Sequence, residues 1–179
     1  MKIETEIALL EDIFAEWQPV IGKEYLGYRN HVYRMVHFCQ LLTDCSEEAR
    51  QKILIAGAFH DLGIWIEDTV DYIPPSLPPM LDYLQSRGLE AWLEEIGLMI
   101  TEHHKLRPYS DRALPLVEVF RQGDLVDFSL GLFRFGLAKS KVQEIKAAFP
   151  NAGFHAALAR RGGRWFLKHP FNPLPMMKW

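Results

Sequence analysis

The sequence predicts an all-α, single-domain helical bundle, and three observations predict it. Apolar residues recur three and four positions apart over most of the chain, which is the spacing of one helix face. No two alternating runs are joined by a hairpin turn, and no internal repeat is present. At 179 residues, 49% hydrophobic and 24% charged, the chain is long enough for one buried core and too short for two ordinary domains.

Ile3, Ile7, Leu10, Phe14 and Trp17 form one apolar stripe and predict a first helix, ended by Pro19. A second helix is expected over 26–42, where His31, Met35, Phe38, Cys39 and Leu42 share a face and turn His31 inward. Ser46-Glu47-Glu48 supplies a cap and an acidic first turn for a third helix that reaches His60. Four prolines in 71–79 remove backbone donors and fix φ, so that stretch reads as an ordered loop. Further helices are expected over 80–87, 91–103, 116–128 and, after the Phe149-Pro150-Asn151 break, 153–160.

This divides the chain into a helical body, 1–160, and an irregular tail, 161–179. The tail is interrupted by prolines yet carries Trp165, Phe166, Phe171, Leu174, Met176 and Trp179, which would make a large apolar patch if left in water. These side chains are expected to pack on the body or on a second copy of the chain, which leaves a homo-oligomer open. Charge is uneven too: residues 134–179 hold nine Lys or Arg against Glu144 alone, a net +8, which leaves −11 for residues 1–133. A basic tail of this kind can fold back on the acidic body, face a phosphorylated substrate or touch an anionic surface.

Composition excludes several classes. The total charge of −3, with no basic stripe interleaved with aromatics on a regular element, does not point to nucleic acid. No apolar run approaches the roughly 20 residues of a membrane-spanning helix, and Glu4 and Glu6 fall where a secretory signal would be apolar, so a cytoplasmic protein is expected. Cys39 reads as a small core residue and Cys45 as a turn residue, with no disulfide framework and no zinc spacing.

The chemistry-bearing residues are His31, the adjacent pair His60-Asp61 at the end of the apolar run 53–59, then His103-His104 and Asp124. An imidazole and a carboxylate delivered side by side at the buried end of a helix are half of a coordination shell for a divalent metal. Each residue alone reads equally as a polar core group satisfied by hydrogen bonds.

The order His31, His60-Asp61, Asp124 resembles the HD superfamily of metal-dependent phosphohydrolases. Arg34 three residues after His31, the glycine after Leu62, the Ile100-Thr101-Glu102-His103-His104 element and the late amphipathic helix carrying Asp124 extend the likeness over about three quarters of the chain. The resemblance implies that His31, His60, Asp61 and Asp124 hold one divalent ion, with Mn, Fe, Co, Ni or Zn favoured over Mg by the mixed imidazole and carboxylate donors. Asp127 competes with Asp124 from one turn on, but the superfamily element begins with its ligand aspartate. The resemblance further implies hydrolysis of a small phosphomonoester or phosphoanhydride, a nucleotide among the candidates, by a metal-activated water. Asp61, His103 and His104 are then the catalytic candidates, with His103 or His104 orienting phosphate or protonating the leaving oxygen and the other a helix-end histidine.

One departure matters. Superfamily members often carry Lys or Glu three residues after the aspartate, where this chain has Ile64. Positive charge for the substrate is then expected from Arg34, Lys105 and Arg107, with Arg29 a further source. Two other readings stand beside the phosphohydrolase: an oxygenase with a mixed-valent iron pair, and a metal-containing binding protein without turnover.

Overall fold

The computed structural model describes residues 2–178. Among them the chain is all-helical, with no named strand and one isolated bridge between Lys105 and Lys178. The α-helices are α1 (Ala8–Ile21), α2 (Tyr25–Leu42), α3 (Glu47–Phe59), α4 (Gly63–Ile66), α5 (Ile73–Gln85), α6 (Leu93–Glu102), α7 (Pro115–Phe128), α8 (Lys139–Ala148) and α9 (Phe154–Lys168). No helix among the described residues is long and apolar enough to cross a membrane.

Helix α2 is the centre of the bundle. Its residues from Asn30 to Cys39 are all buried, and α3, α7, α8 and α9 pack around it. Ser46 caps α3 as expected, its hydroxyl accepting from the Ala49 N–H at 3.1 Å, and Ile53 through Phe59 are buried along it. The tightest approach is between α2 and α7. A Cβ on Gly123 would fall 2.3 Å from Cys39 Sγ, so only a residue without a side chain lets the two backbones meet there. That contact sets Asp124, the next residue, against the face of α2 that carries His31.

Several boundaries differ from the sequence expectation. Helix α1 begins at Ala8 and runs through Pro19 to Ile21, because a proline near the last turn costs one intrahelical bond without ending the helix. The proline-rich stretch is helical from Ile73 onward. Pro74 and Pro75 occupy the first turn, where backbone donors have no intrahelical acceptor to lose. Pro78 and Pro79 do remove two donors. Burial of Ile73, Ser76, Met80, Tyr83 and Leu84 along one side holds the helix despite that loss. Helix α8, with Val142 and Ile145 buried, lies in a stretch for which no helix was expected.

The tail also differs. Helix α9 continues to Lys168, eight residues past the expected end, and 169–178 is irregular. The end of the tail docks on the body: the Leu106 N–H donates to the Lys178 carbonyl at 2.8 Å, Lys178 Nζ lies 2.9 Å from Glu102, and Met176 packs with Ile64, Tyr72 and Ile73. Arg161 pairs with Glu24 at 2.5 Å, so part of the basic segment does meet the acidic body. Phe166, Phe171 and Leu174, expected to be buried, are exposed within the single chain, and Trp165 is half-buried. Phe154 and Ala157 are the buried residues of α9, both in its first half, and Phe166 and Leu167 in the second half are exposed. Trp179 lies outside the described residues.

The N-terminal segment is held by His37 of α2. The Glu4 N–H donates to its Nε2 at 3.0 Å, so its Nδ1–H donates to the Tyr33 carbonyl at 2.7 Å and the ring is neutral. Burial pushes His37 below its ordinary value near 6.5. A lowered folded value means that this ring's contribution is complete above pH 6.5 and is lost as pH falls through the folded pKa. An NMR titration should therefore place the His37 midpoint below 6.5, with faster exchange of the Glu4 amide at the same pH. A midpoint at or above 6.5 would show that the latch is not formed in solution.

Candidate metal centre

Four elements deliver the cluster. His31 comes from the middle of α2, and His60 and Asp61 follow the last turn of α3, with the His60 N–H still bonded to the Ala56 carbonyl at 2.9 Å. His103 and His104 follow α6, and Asp124 comes from α7. The turn after Asp61 is pinned at Gly63, whose N–H donates to Ser76 Oγ at 2.9 Å. A Cβ on Gly63 would lie 2.2 Å from the Tyr72 carbonyl oxygen, so the residue after Leu62 must be small for α4 to seat on α5.

His31, His60, Asp61, His103 and Asp124 are all buried. The Nε2 atoms of His31 and His60 face each other at 3.1 Å. Asp61 Oδ2 lies 3.3 Å from His60 Nε2 and 3.7 Å from His31 Nε2, and Asp124 Oδ1 lies 3.5 Å from His31 Nε2 and 3.8 Å from His60 Nε2. Donors about 2.1 Å from a common ion stand about 3.0 Å apart in an octahedral shell and about 3.4 Å apart in a tetrahedral one. The His31 to His60 and His60 to Asp61 separations fall in that range, and the His31 to Asp61 and both Asp124 separations are 0.1–0.4 Å longer. His31, His60 and Asp61 form a group with ligand atoms close enough for one ion, which does not include Asp124.

Each ring is aimed by its other nitrogen. His60 Nδ1–H donates to the Gly57 carbonyl at 2.8 Å, His103 Nδ1–H to the Ile100 carbonyl at 2.7 Å, and His31 Nδ1–H to Asp127 Oδ2 at 2.7 Å. These bonds leave the Nε2 lone pairs directed into the cluster, the arrangement that metal-ligating histidines adopt. Two lone pairs 3.1 Å apart repel unless a proton or a cation lies between them. With protons alone to balance the charge, burial opposes ionisation of His60, yet the Asp61 and Asp124 carboxylates push it up to about 9. Burial raises Asp124, while His60 and His103 hold Asp61 well below the usual carboxylate range against its own burial.

Asp61 faces two ways. Its Oδ1 points to His103 Nε2 at 3.5 Å, and neither atom has a hydrogen-bond partner although both are buried. Orphaned polar atoms of this kind are rare and call for an explanation. Asp61, His103 and His104 form a second group with ligand atoms close enough for one ion, sharing Asp61 with the group His31, His60, Asp61. His104 lies against Tyr72, with 2.5 Å between its Nε2 and the hydroxyl, and burial followed by the neighbouring His103 pushes its pKa well below the ordinary value.

A cavity of about 440 Å³ opens on the cluster, with His31, Asp61, His104 and Asp124 on its wall. The three cations expected to serve a substrate lie elsewhere. Arg34 is buried and locked, its Nη2 donating to Asp127 Oδ2 at 2.8 Å and its Nη1 to the Phe149 carbonyl at 2.9 Å. Lys105 pairs with Glu102 at 3.1 Å, and Arg107 is exposed. Arg29 pairs with Glu11.

The sequence reading missed three contributors. Asp127 touches His31 rather than competing with Asp124, Tyr72 closes on His104, and the Phe154 ring stacks on His31 with centroids 4.3 Å apart and 14° between planes. Only Asp127 had a visible signal, its place one turn beyond Asp124 on the same helix. No protein-family model, curated protein or solved structure matches this chain.

Proposed function

We propose that this protein is a metal-dependent phosphohydrolase of the HD superfamily, which holds one divalent ion on His31, His60, Asp61 and Asp124 and cleaves a small phosphomonoester or phosphoanhydride. The observation that supports this most is the buried convergence of the His31 and His60 lone pairs with Asp61 at first-shell separation, with Asp124 3.5 Å from His31. Bound there, a divalent ion would supply a Lewis acid and a water of lowered pKa. Mn, Fe, Co, Ni or Zn suits this donor set better than Mg.

The chain's own groups divide the remaining work. Asp127 fixes the tautomer and direction of His31, itself held by Arg34. His104 stands on the cavity wall with the Tyr72 hydroxyl against its Nε2, where a neutral ring and a hydroxyl together face the reacting end of the cavity. His103 sits behind Asp61, its Nε2 3.5 Å from the second carboxylate oxygen and not hydrogen-bonded to it. With Ile64 at the position where Lys or Glu would carry phosphate or a proton, the pair of His104 and Tyr72 is the polar wall nearest the cluster.

Phosphate release from a substrate panel, run with added Mn, Co, Ni, Zn and Mg in turn, tests the reading. Turnover should require added metal and disappear on chelation. Activity at full rate in chelated protein would overturn it. A second reading, a dinuclear centre with oxygenase chemistry, is favoured by the unpartnered Asp61 Oδ1 and His103 Nε2. Two irons per chain with oxygen consumption would promote it over the first.

A further inference from the structure

Resting on the phosphohydrolase reading, we propose that the substrate is an amphiphile, a single phosphate on an alkyl or aryl body, rather than a nucleotide. The cavity's 440 Å³ is in the range of small-ligand sites. Its polar end is the His/Asp cluster. Around and beyond that end the apolar lining is Ile64, Val70, Phe128, Phe154, Leu158 and Met176.

Most of the remaining polar groups on the wall are already engaged by the protein, Arg161 Nε excepted. Arg161, the one Lys or Arg lining the cavity among the described residues, has its Nη1 2.5 Å from Glu24, while its Nε, 3.6 Å from Asp68, makes no hydrogen bond. His155 Nε2 lies 3.2 Å from the Asp127 carbonyl and its Nδ1 against Asn151. Thr69 Oγ1 accepts from the Asp71 N–H at 3.0 Å, and the Tyr72 hydroxyl meets His104. A base, a ribose or a second phosphate entering this space would lose hydration and find few free partners beyond Arg161 Nε, which is costly. A hydrocarbon body loses nothing there and leaves water for an apolar wall.

The quantitative consequence is a chain-length slope. Each buried methylene should raise kcat/KM about fourfold until the cavity is filled. The experiment compares n-alkyl phosphates from ethyl to octyl with nucleoside monophosphates on the manganese-loaded full chain. In parallel, calorimetry measures binding of the matching n-alkylphosphonates, which cannot be hydrolysed. Both rate and affinity should climb with chain length, octyl phosphate should exceed the nucleotides, and Leu158→Trp, checked for retained helicity, should flatten both slopes. Flat slopes in the wild-type chain, or nucleotides preferred over octyl phosphate, would overturn the inference while leaving phosphohydrolysis in place. Phosphonate affinity that climbs while no compound releases phosphate would uphold the apolar ligand class and sink the phosphohydrolase reading instead.

Discussion

Asp61→Ala is expected to abolish metal-dependent turnover and to weaken divalent-ion binding by more than the roughly 10–100-fold that follows loss of an outer-sphere partner. Asp61 Oδ2 is within 3.7 Å of both inward imidazole nitrogens, so its removal takes away a donor and a negative charge together. The clearest readout is thermal. An ion bound only by the folded state stabilises by about 2.7 kcal/mol at a concentration 100 times its Kd. The wild-type melting temperature should rise on adding metal, and the variant's should not. Circular dichroism should show the helices intact, because Asp61 follows α3 and takes no part in its hydrogen bonding. A variant that keeps the full metal-dependent rise would remove Asp61 from the shell.

How far the molecule could be read from sequence depends on the range of the interaction involved. Helix faces are local: the spacing that turned His31, Met35, Phe38 and Cys39 to one side of α2 corresponds to an unbroken buried run from Asn30 to Cys39. The Ser46 cap is local as well, and the hydroxyl accepts the expected bond. Pro74 and Pro75 misled because a proline's cost depends on where the helix starts, and that start is set by burial of Ile73 and Ser76 against α4. Arg34 was equally ambiguous. A cation three residues after a candidate ligand can face a substrate or an internal acid, and only the α2 to α7 approach at Gly123, nearly a hundred positions away, decides for Asp127. The exposed apolar groups in the second half of α9 fall in the same class, because periodicity identifies a face without identifying what covers it.

That buried Arg34 and Asp127 pair yields the second large effect. Asp127 receives Arg34 Nε at 2.5 Å and Nη2 at 2.8 Å, and the same Oδ2 accepts from His31. Burial opposes the charge on Asp127, but His31 and Arg34 hold its carboxyl far below the usual range. Asp127→Ala would leave the Arg34 guanidinium buried without its acid, a loss of about 3–5 kcal/mol. It would also free the His31 ring and so weaken metal binding about 10–100-fold. The two effects separate in a double variant. Arg34→Met with Asp127→Leu replaces the ion pair by apolar groups of similar size, which is often neutral or stabilising, so most of the lost stability should return. Metal affinity should not, because leucine cannot accept the His31 Nδ1–H. Denaturant titration and metal binding measured on the same three proteins decide the matter. If affinity recovers together with stability, Asp127 serves the fold alone. If stability recovers and affinity stays low, the carboxylate acts on the centre through His31.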